Sequence, residues 1–272
     1  MRTFKATVKK YFNTKTSALE VLLVMSKLKE ELLHEAAEKG AIWLQKGKGK
    51  TLRIRDLSLE VDPEDTLSFF YDSRVLNLKT LEFAECLFEN SHYGVWSKPV
   101  GIVTQGTQTG DHSSLMRYVE KVKKRQIYLV HRLDRETEGL VIFCYHQESA
   151  KYFSKLFSEN RIKKIYQSIV MGLTPESGEI NLPLDGKEAL TLYKRLSHNE
   201  VHSLVEVEIK TGRLHQIRRH FEMIGHPVLG DPKYGRGNKN KEGLKLLAYQ
   251  LEFKDPFNHQ KKVFTATNSL KL

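Results

Sequence analysis

The chain is 272 residues long, with 40% hydrophobic residues and a formal charge of +11 at pH 7. This hydrophobic content excludes a largely disordered protein, and the length suffices for one large domain or two unequal ones. The excess of lysine and arginine predicts a surface that attracts polyanions, nucleic acid first among them, although a basic surface can also serve solubility alone.

The cysteines and the N-terminus carry no signal for secretion. Cys86 and Cys144 are far apart in sequence and lack metal-ligand spacing, so they indicate neither a disulfide framework nor a zinc site. The first residues, "MRTFKATVKKYFN", contain no apolar core of a signal peptide, and the longest apolar run, "VLLVM", is too short to span a bilayer. We therefore expect a cytoplasmic protein with no membrane partner.

Residues 1–85 are predicted to form a small α+β module. Ser17 and Glu20 have capping-box spacing ahead of "VLLVM", and a second helix is predicted over "KEELLHEAAEKGAIWLQ", which Gly40 ends or bends. A basic turn, "QKGKGK", and short strands around "DPED" follow. This layout resembles the S4-type RNA-binding module, although the usual "RLD" of its first helix is absent. The alternative is an ordinary α+β cap with solvated lysines.

Residues 86–272 read mainly as strands, with no regular βαβ rhythm. Two helices are predicted, "QESAKYFSKLF" and "RLHQIRRHFEMI", each with one apolar face. Those faces consist of Ala150, Phe153 and Phe157 in the first helix, and of Leu214, Ile217, Phe221 and Ile224 in the second. Many strands with few helices predict an α+β fold with a mixed, largely antiparallel sheet.

Three segments contain side chains that could perform chemistry. "HRLDRETEG" has the composition of a loop at a strand end, where Asp134 can face a cleft or merely cap a backbone amide. In the second predicted helix, Arg218 lies at the edge of the apolar face and can reach inward to a carboxylate, while His215 and Arg219 turn outward. Tyr166 lies in a strand and can line a pocket or be an ordinary half-buried residue. The histidines match no metal-ligand spacing.

Taken in order, four segments of the chain resemble the motifs of the RluA-type pseudouridine synthases: "SKPVGIVTQ", "HRLDRETEGLVIF", "KKIYQSIVMG" and "TGRLHQIRRHFEMIGHPVLGDPKYG". The resemblance covers roughly residues 90 to 270. It implies isomerisation of particular uridines in structured RNA, ribosomal or transfer RNA, without a cofactor or metal. Three motif positions carry the implied catalytic roles: Asp134 as the catalytic aspartate, Tyr166 as the active-site tyrosine and Arg218 as the partner of Asp134.

The same resemblance implies a set of residues that contact RNA. Arg132 corresponds to the arginine that enters the RNA stack where the target nucleotide is extruded. The other implied RNA contacts are His131, Lys98, Arg213, His215 and Gln216. Because the reaction requires an ionised carboxylate and burial opposes ionisation, Arg218 is predicted to keep Asp134 charged.

Three positions depart from the usual family pattern. Glu138 stands where serine is usual, Ser97 where asparagine is frequent, and Leu247 where histidine is frequent. None removes a catalytic group, but Glu138 adds a negative charge close to the predicted cleft. The alternative function is a non-catalytic RNA-binding protein that uses the same basic surfaces. The chain lacks the glycine-rich motifs of nucleotide-dependent enzymes, and we expect it to be a monomer.

Overall fold

The computed structural model describes residues 1–235, 237–238 and 240–272. Its contacts divide the chain into two compact units, Met1–Glu82 with Gln105–Val122 and Phe83–Thr104 with Lys123–Leu272. The chain leaves the first unit after residue 82, returns at residue 105 and leaves again after residue 122. Every residue that the sequence assigned to the catalytic or RNA-contacting set lies in the second unit.

The first unit contains a four-stranded antiparallel sheet in the order β1-β6-β3-β4, and a separate pair of strands, β2 and β5. Its core includes Leu22, Leu33, Ile42 and Phe69, all fully buried. The elements are β1 (Arg2–Thr7), a 3-10 turn (Val8–Lys10), β2 (Thr16–Ser17), α1 (Ala18–Ser26), α2 (Glu30–Glu38), β3 (Ile42–Gln45), β4 (Thr51–Arg53), β5 (Glu60–Val61), β6 (Thr66–Tyr71), α3 (Ser73–Leu76) and α4 (Leu115–Lys123).

The helix start in this unit is confirmed, and Gly40 ends the second helix, which is one of the two outcomes expected for it. The Ser17 hydroxyl accepts a hydrogen bond from the Glu20 amide at 3.2 Å, and the Glu20 carboxylate accepts one from the Ser17 amide at 3.1 Å. Helix α2 ends at Glu38 and does not continue to Gln45, because Gly40 takes the left-handed conformation, φ +81°. The apolar residues that follow form strand β3, which pairs with β6.

The second unit contains a ten-stranded, largely antiparallel sheet. Its main strand order is β12-β13-β14-β11-β15-β10-β8-β7, with β16 paired to β15 and β9 paired to β10. The strands are β7 (Cys86–Glu89), β8 (Tyr93–Lys98), β9 (Tyr128–Leu129), β10 (Glu138–Cys144), β11 (Lys163–Met171), β12 (Ser177–Asn181), β13 (Leu190–His198), β14 (His202–Ile209), β15 (Leu246–Lys254) and β16 (Lys261–Thr265). This arrangement confirms the α+β fold with a mixed, largely antiparallel sheet.

The centre of this sheet contains a fork between β10 and β15. The two strands run parallel and pair only at Glu138 with Leu247 and at Gly139 with Ala248. Beyond that point β10 pairs with β9, and β15 pairs with β16. Gly139 has φ +117°, and a Cβ atom there would lie 2.3 Å from the Ala248 carbonyl oxygen. Only glycine therefore fits where the loop that carries Asp134 enters the sheet.

Two helices, α5 (Gln147–Ser158) and α6 (Gln216–Met223), pack in this unit. In α5 the buried ring of Phe153 packs edge-on against Tyr93, with ring centroids 4.8 Å apart. In α6 the predicted apolar face holds at Ile217 and Phe221, but Leu214 precedes the helix and is 61% exposed. Among the described residues, no helix has the length and apolar character needed to cross a membrane.

Candidate active site

The loop between β9 and β10, residues 130–137, carries Asp134 and is fastened on both sides of it. The Thr104 hydroxyl donates to the Leu133 carbonyl at 2.9 Å and accepts from the Leu133 amide at 3.0 Å. The Gly101 amide donates to the Arg135 carbonyl at 2.8 Å. These anchors come from the segment that follows β8, so the motif "SKPVGIVTQ" fixes the backbone that carries Asp134.

Lys98 belongs to the same support, which corrects its predicted role as an RNA contact. The side chain is fully buried, and its ammonium donates to the carbonyls of Pro99 (2.9 Å), Ile102 (2.7 Å) and Arg135 (3.2 Å). Burial lowers the pKa of Lys98 to about 8, although the negative charges of nearby carboxylates, including Asp134, act to raise it. Since a buried ammonium bonded to three carbonyls cannot reach RNA, Lys98 organises the loop instead.

Beside this loop lies a cavity of about 770 Å³. Asp134 opens onto it with 21% of its side chain exposed. Its walls come from the loop, from the end of α5, from β11 and from the start of α6. The structure thus brings together most of the residues predicted from the motifs, namely His131, Arg132, Asp134, Tyr166, Arg213, His215, Gln216 and Arg218.

Arg218 lies within ion-pair distance of three carboxylates, those of Asp134, Asp231 and Glu136. Its Nη1 lies 3.6 Å from Asp134 Oδ2. Its Nε and Nη2 donate to the two oxygens of Asp231, each at 2.7 Å. The side chains of Arg218 and Asp231 are 2% and 0% exposed, so the two form a buried bidentate ion pair. Asp231 is thus the closer carboxylate partner of Arg218, and the sequence did not reveal it.

The surroundings of Asp231 explain why this pair stays charged. Burial alone would raise the pKa of Asp231, but hydrogen bonds from Arg218 and from the amides of Tyr234 and Lys233 hold it below its usual value. Burial likewise opposes the charge of Arg218, but its carboxylate partners raise the pKa above the usual range. The motif "GDPKYG", which reads as a simple turn, therefore supplies the counter-charge that orients Arg218.

His215 faces Asp134 rather than turning outward as predicted. It precedes α6 and has a left-handed backbone, φ +52° and ψ +33°. Its Nε2 lies 3.6 Å from Asp134 Oδ2, and its Nδ1 lies 3.0 Å from the Tyr234 hydroxyl. Burial lowers the pKa of His215, although the charge of Asp134 acts in the opposite direction. The left-handed residue at the helix start places the imidazole where a regular helical turn would not.

Tyr166 lines the cavity from strand β11. The register between β11 and β15 shifts next to it, because Ile165 pairs with Gln250 whereas Tyr166 pairs with Ala248. Burial raises the pKa of Tyr166, and the charge of Asp134 adds to the effect. The phenol is therefore neutral at physiological pH and presents an aromatic surface to the cavity.

Two residues of the predicted RNA-contacting set are available at the surface of the cavity. Arg132 is exposed, and its guanidinium forms no hydrogen bond or ion pair with any residue in the described part of the chain. Arg213 is partly exposed, and its Nε donates to the Glu188 carbonyl at 2.9 Å. Both side chains can offer further donors to a ligand.

Two other residues of that set are engaged within the protein. Gln216 is only 3% exposed, and its amide group bonds to Leu190, Thr191 and Thr211, which corrects its predicted role as an RNA contact. His131 accepts a hydrogen bond from the Ile142 amide at 2.8 Å. Burial lowers the pKa of His131 to about 3, so the ring is neutral. These groups line the cavity as structural parts of its wall.

Comparison with known proteins connects this geometry to a reaction. Residues 92–223 match the family model described as RNA pseudouridylate synthase. An uncharacterised RNA pseudouridine synthase of Mycoplasma genitalium is 32% identical over 220 residues, which cover 74% of this chain and 70% of the relative. The chain belongs to the RluA-type RNA pseudouridine synthases. It is an isomerase that acts on RNA.

Other relatives of this synthase differ in how much of the chain they match. A tRNA pseudouridine synthase C of Vibrio parahaemolyticus is 28% identical over 67% of this chain and 89% of its own length. A ribosomal large subunit pseudouridine synthase D of Borreliella burgdorferi is 29% identical over 94% of this chain and 88% of its own length.

Solved structures share the fold of the synthase. Human RNA pseudouridylate synthase domain containing 4 superposes with a TM-score of 0.57 at 24% identity, covering 67% of this chain and 87% of that chain. Human RNA pseudouridylate synthase domain containing 1 gives a TM-score of 0.60 at 20% identity, covering 71% and 86%.

The contrast between Lys98 and Arg132 in this synthase leads to a testable difference. In Lys98→Met, three buried carbonyls lose their donor, and we expect unfolding free energy to fall by about 2–4 kcal/mol and turnover to fall with it, at unchanged RNA affinity. In Arg132→Ala we expect weaker RNA binding with no loss of stability. Urea unfolding and fluorescence anisotropy with labelled RNA separate the two, and weakened RNA binding in a folded Lys98→Met would contradict the structural role.

Proposed function

We propose that Asp134 is the carboxylate with which this synthase converts uridine to pseudouridine, and that its substrate is ribosomal RNA. One observation supports this above the others: Asp134 Oδ2 lies 3.6 Å from both Arg218 Nη1 and His215 Nε2, at the wall of a cavity of about 770 Å³. A partly exposed carboxylate beside a buried cation, facing a cavity of that volume, suits a flipped nucleotide.

The chemistry explains why one carboxylate suffices. The reaction breaks the bond between N1 of uracil and C1′ of ribose, turns the base within the site and joins C5 to C1′. The C5 proton is then lost and N1 gains one, so there is no net change in oxidation state. Asp134 either attacks C1′ or removes a proton from C2′, and both roles require its ionised form. Glycosidases need a second carboxylate to activate water, whereas here uracil is retained and water excluded.

Arg218 has the role of a fixed positive charge beside Asp134. The bidentate contact with Asp231 holds the guanidinium in one orientation. Nη1 therefore faces Asp134 in a fixed position, and no further ordering of the Arg218 side chain is needed. A uracil bound in the cavity would remove water from the aspartate, and desolvation disfavours an ionised carboxylate. The neighbouring positive charge of Arg218 favours the ionised form and so opposes that effect. In this proposal Arg218 acts on the aspartate and contributes little to RNA affinity.

Tyr166 and Arg132 act on the nucleotide itself. Because its pKa is raised, Tyr166 is a neutral phenol that stacks on uracil. Removing the target from a helix costs a few kcal/mol of stacking, and an exposed arginine inserted in its place restores part of that energy. Arg132, at the rim of the cavity and without a protein partner among the described residues, suits this position.

We favour ribosomal RNA over transfer RNA as the substrate because of how much of this chain each relative matches. The relative named for the large ribosomal subunit matches 94% of this chain, whereas the relative named for transfer RNA matches 67%. The longer match includes the first unit, where Lys46, Lys48 and Lys50 are exposed in the turn between β3 and β4. In this proposal that turn adds an RNA-binding surface of the S4 kind, and the chain works as a monomer in the cytoplasm.

Mapping of pseudouridines in cells tests this function. Total RNA would be compared between cells with and without the gene, and between deleted cells that receive the wild-type chain or Asp134→Asn. We expect one or a few uridines of ribosomal RNA to lose the modification, and only the wild-type copy to restore it. Restoration by the Asn copy would overturn the assignment of Asp134, and unchanged ribosomal sites beside altered transfer RNA sites would overturn the preferred substrate.

The same comparison addresses a non-catalytic RNA-binding role. If the protein only folded or shielded RNA, the loss would appear as a growth or assembly defect with an unchanged pseudouridine map. The Asn copy, which keeps the basic surfaces, would then correct that defect as well as the wild-type copy does.

A further inference from the structure

A second cavity, which is basic, adjoins the active-site cavity at the ends of several strands of the large sheet. It measures about 640 Å³ and lies where β11 and β16 begin and where β14 and β15 end. We name it the strand-end groove and define it by its five cations, Arg161, Lys163, Lys210, Lys254 and Lys261. Asn160 and Ile209 line both cavities, so the groove is continuous with the site that contains Asp134.

The carboxylates of the groove do not cancel its charge. Among the described residues that line the groove, Glu208 and Glu252 are the only acidic ones. Glu208 is bonded to Lys210 and lies 3.8 Å from Lys163. Glu252 lies 2.7 Å from Lys261. The groove therefore keeps a surplus of positive charge, although each of its carboxylates is paired.

The remaining cations of the groove can be reached from solvent. Arg161 is 58% exposed, and its ion pair is with Glu159, which does not line the groove. Lys254 is exposed, and its ammonium forms no hydrogen bond or ion pair with any residue that the structure describes. Lys164 continues the positive charge from the groove into the wall of the active-site cavity.

We infer that the strand-end groove binds the phosphodiester backbone of the substrate RNA on one side of the flipped uridine. The inference rests on the proposed function, because it takes the uridine to lie beside Asp134. Extruding a nucleotide fixes the phosphates on either side of it, and a row of exposed cations leading from the cavity can hold them. Lysines that line a groove suit a flexible RNA backbone, since contacts with phosphates fix the register of the RNA without reading its bases.

A triple variant, Lys210→Ala with Lys254→Ala and Lys261→Ala, tests this inference. The matched control is Lys187→Ala with Lys194→Ala and Lys241→Ala, which removes the same charge from exposed positions of the same unit outside both cavities. Binding is measured by anisotropy with a fluorescein-labelled RNA hairpin over a range of salt concentrations. Turnover is measured as tritium released from unmodified ribosomal RNA transcripts containing [5-³H]uridine.

We expect the groove variant to bind the hairpin about tenfold more weakly, with the slope of log K against log salt smaller by about two to three. Its single-turnover rate at saturating RNA should equal that of the wild type, and the control should bind nearly as the wild type does. A second variant, Lys254→Glu alone, should weaken binding in the same direction and disturbs no ion pair among the described residues.

Equal losses in the groove variant and the control would overturn the inference, because net charge alone would then explain them. Unchanged binding in the groove variant would also overturn it. The proposed function fails separately, if Asp134→Asn remains active, whatever the affinity measurements give. An inactive Asp134→Asn beside a groove variant with normal affinity would remove only the groove from the RNA path.

Discussion

Asp134→Asn is expected to lower the single-turnover rate of pseudouridine formation by about 10³-fold or more, while RNA affinity stays within about twofold of the wild type. The amide has the shape of the carboxylate but can neither attack C1′ nor accept a proton from C2′. Tritium release from [5-³H]uridine-labelled RNA measures the rate, and anisotropy measures the affinity. Since Asp134 is anchored through its neighbours Leu133 and Arg135, the substitution should leave the loop in place.

Glu138→Gln is the matched control for this experiment. It makes the same change of charge four residues further along, but the Glu138 carboxylate accepts a hydrogen bond from the Asn268 side chain at 2.7 Å and does not line the cavity. The unusual acidic residue at the entrance to β10 is therefore engaged within the protein. We expect Glu138→Gln to turn over within a few-fold of the wild type. A near wild-type rate for Asp134→Asn would show that another group performs the reaction.

Asp231→Asn is expected to destabilise the protein by about 3–5 kcal/mol at pH 7, because it leaves the buried guanidinium of Arg218 without its charged partner. Turnover should fall as well, since Arg218 then has only longer contacts, to Asp134 at 3.6 Å and Glu136 at 3.9 Å, to hold it. Urea denaturation measures the first effect and tritium release the second. A destabilisation below about 1 kcal/mol would contradict the importance of this pair.

The pH dependence of this loss has a definite sign. Because the folded pKa of Asp231 is held below the unfolded value of about 3.9, its stabilising contribution is complete above that pH and disappears as pH falls through the folded pKa. The gap between the wild type and Asp231→Asn should therefore be full at pH 6–7 and narrow below pH 4. Asp185→Asn is the control, since Asp185 binds neighbouring Arg219 by the same two-bond geometry at an exposed position and should have a much smaller effect.

The sequence predicted a helix or strand well where the interactions that form it lie between residues close together in the chain. The Ser17 and Glu20 capping box predicted the start of α1, because both hydrogen bonds form within four residues. The apolar run after Gly40 was included in the span predicted as a helix, and pairing with distant β6 makes it a strand. Strands β12 and β13 carry polar residues at their exposed positions, so only their pairing partners identify them as strands.

The sequence predicted which residues carry the chemistry of the candidate site, but it did not predict the buried residues that hold them in place. The ordered motifs pointed to Asp134, Tyr166 and Arg218, and the structure places all three around one cavity. Lysine is rarely buried, so nothing local distinguished Lys98 from a surface residue that contacts RNA. Asp231 looked like a turn residue before proline, since its pairing with Arg218 depends on how α6 and a later loop pack together.

The fork at the centre of the large sheet has a consequence for how the protein is made. Strand β15, residues 246–254, lies between β11, which carries Tyr166, and β10, which follows the Asp134 loop. The halves of the sheet can therefore join only after β15 has left the ribosome, and until then both halves expose unpaired strand edges. A nascent chain cut short before residue 246 would have all the residues implicated in catalysis and no means of bringing them together.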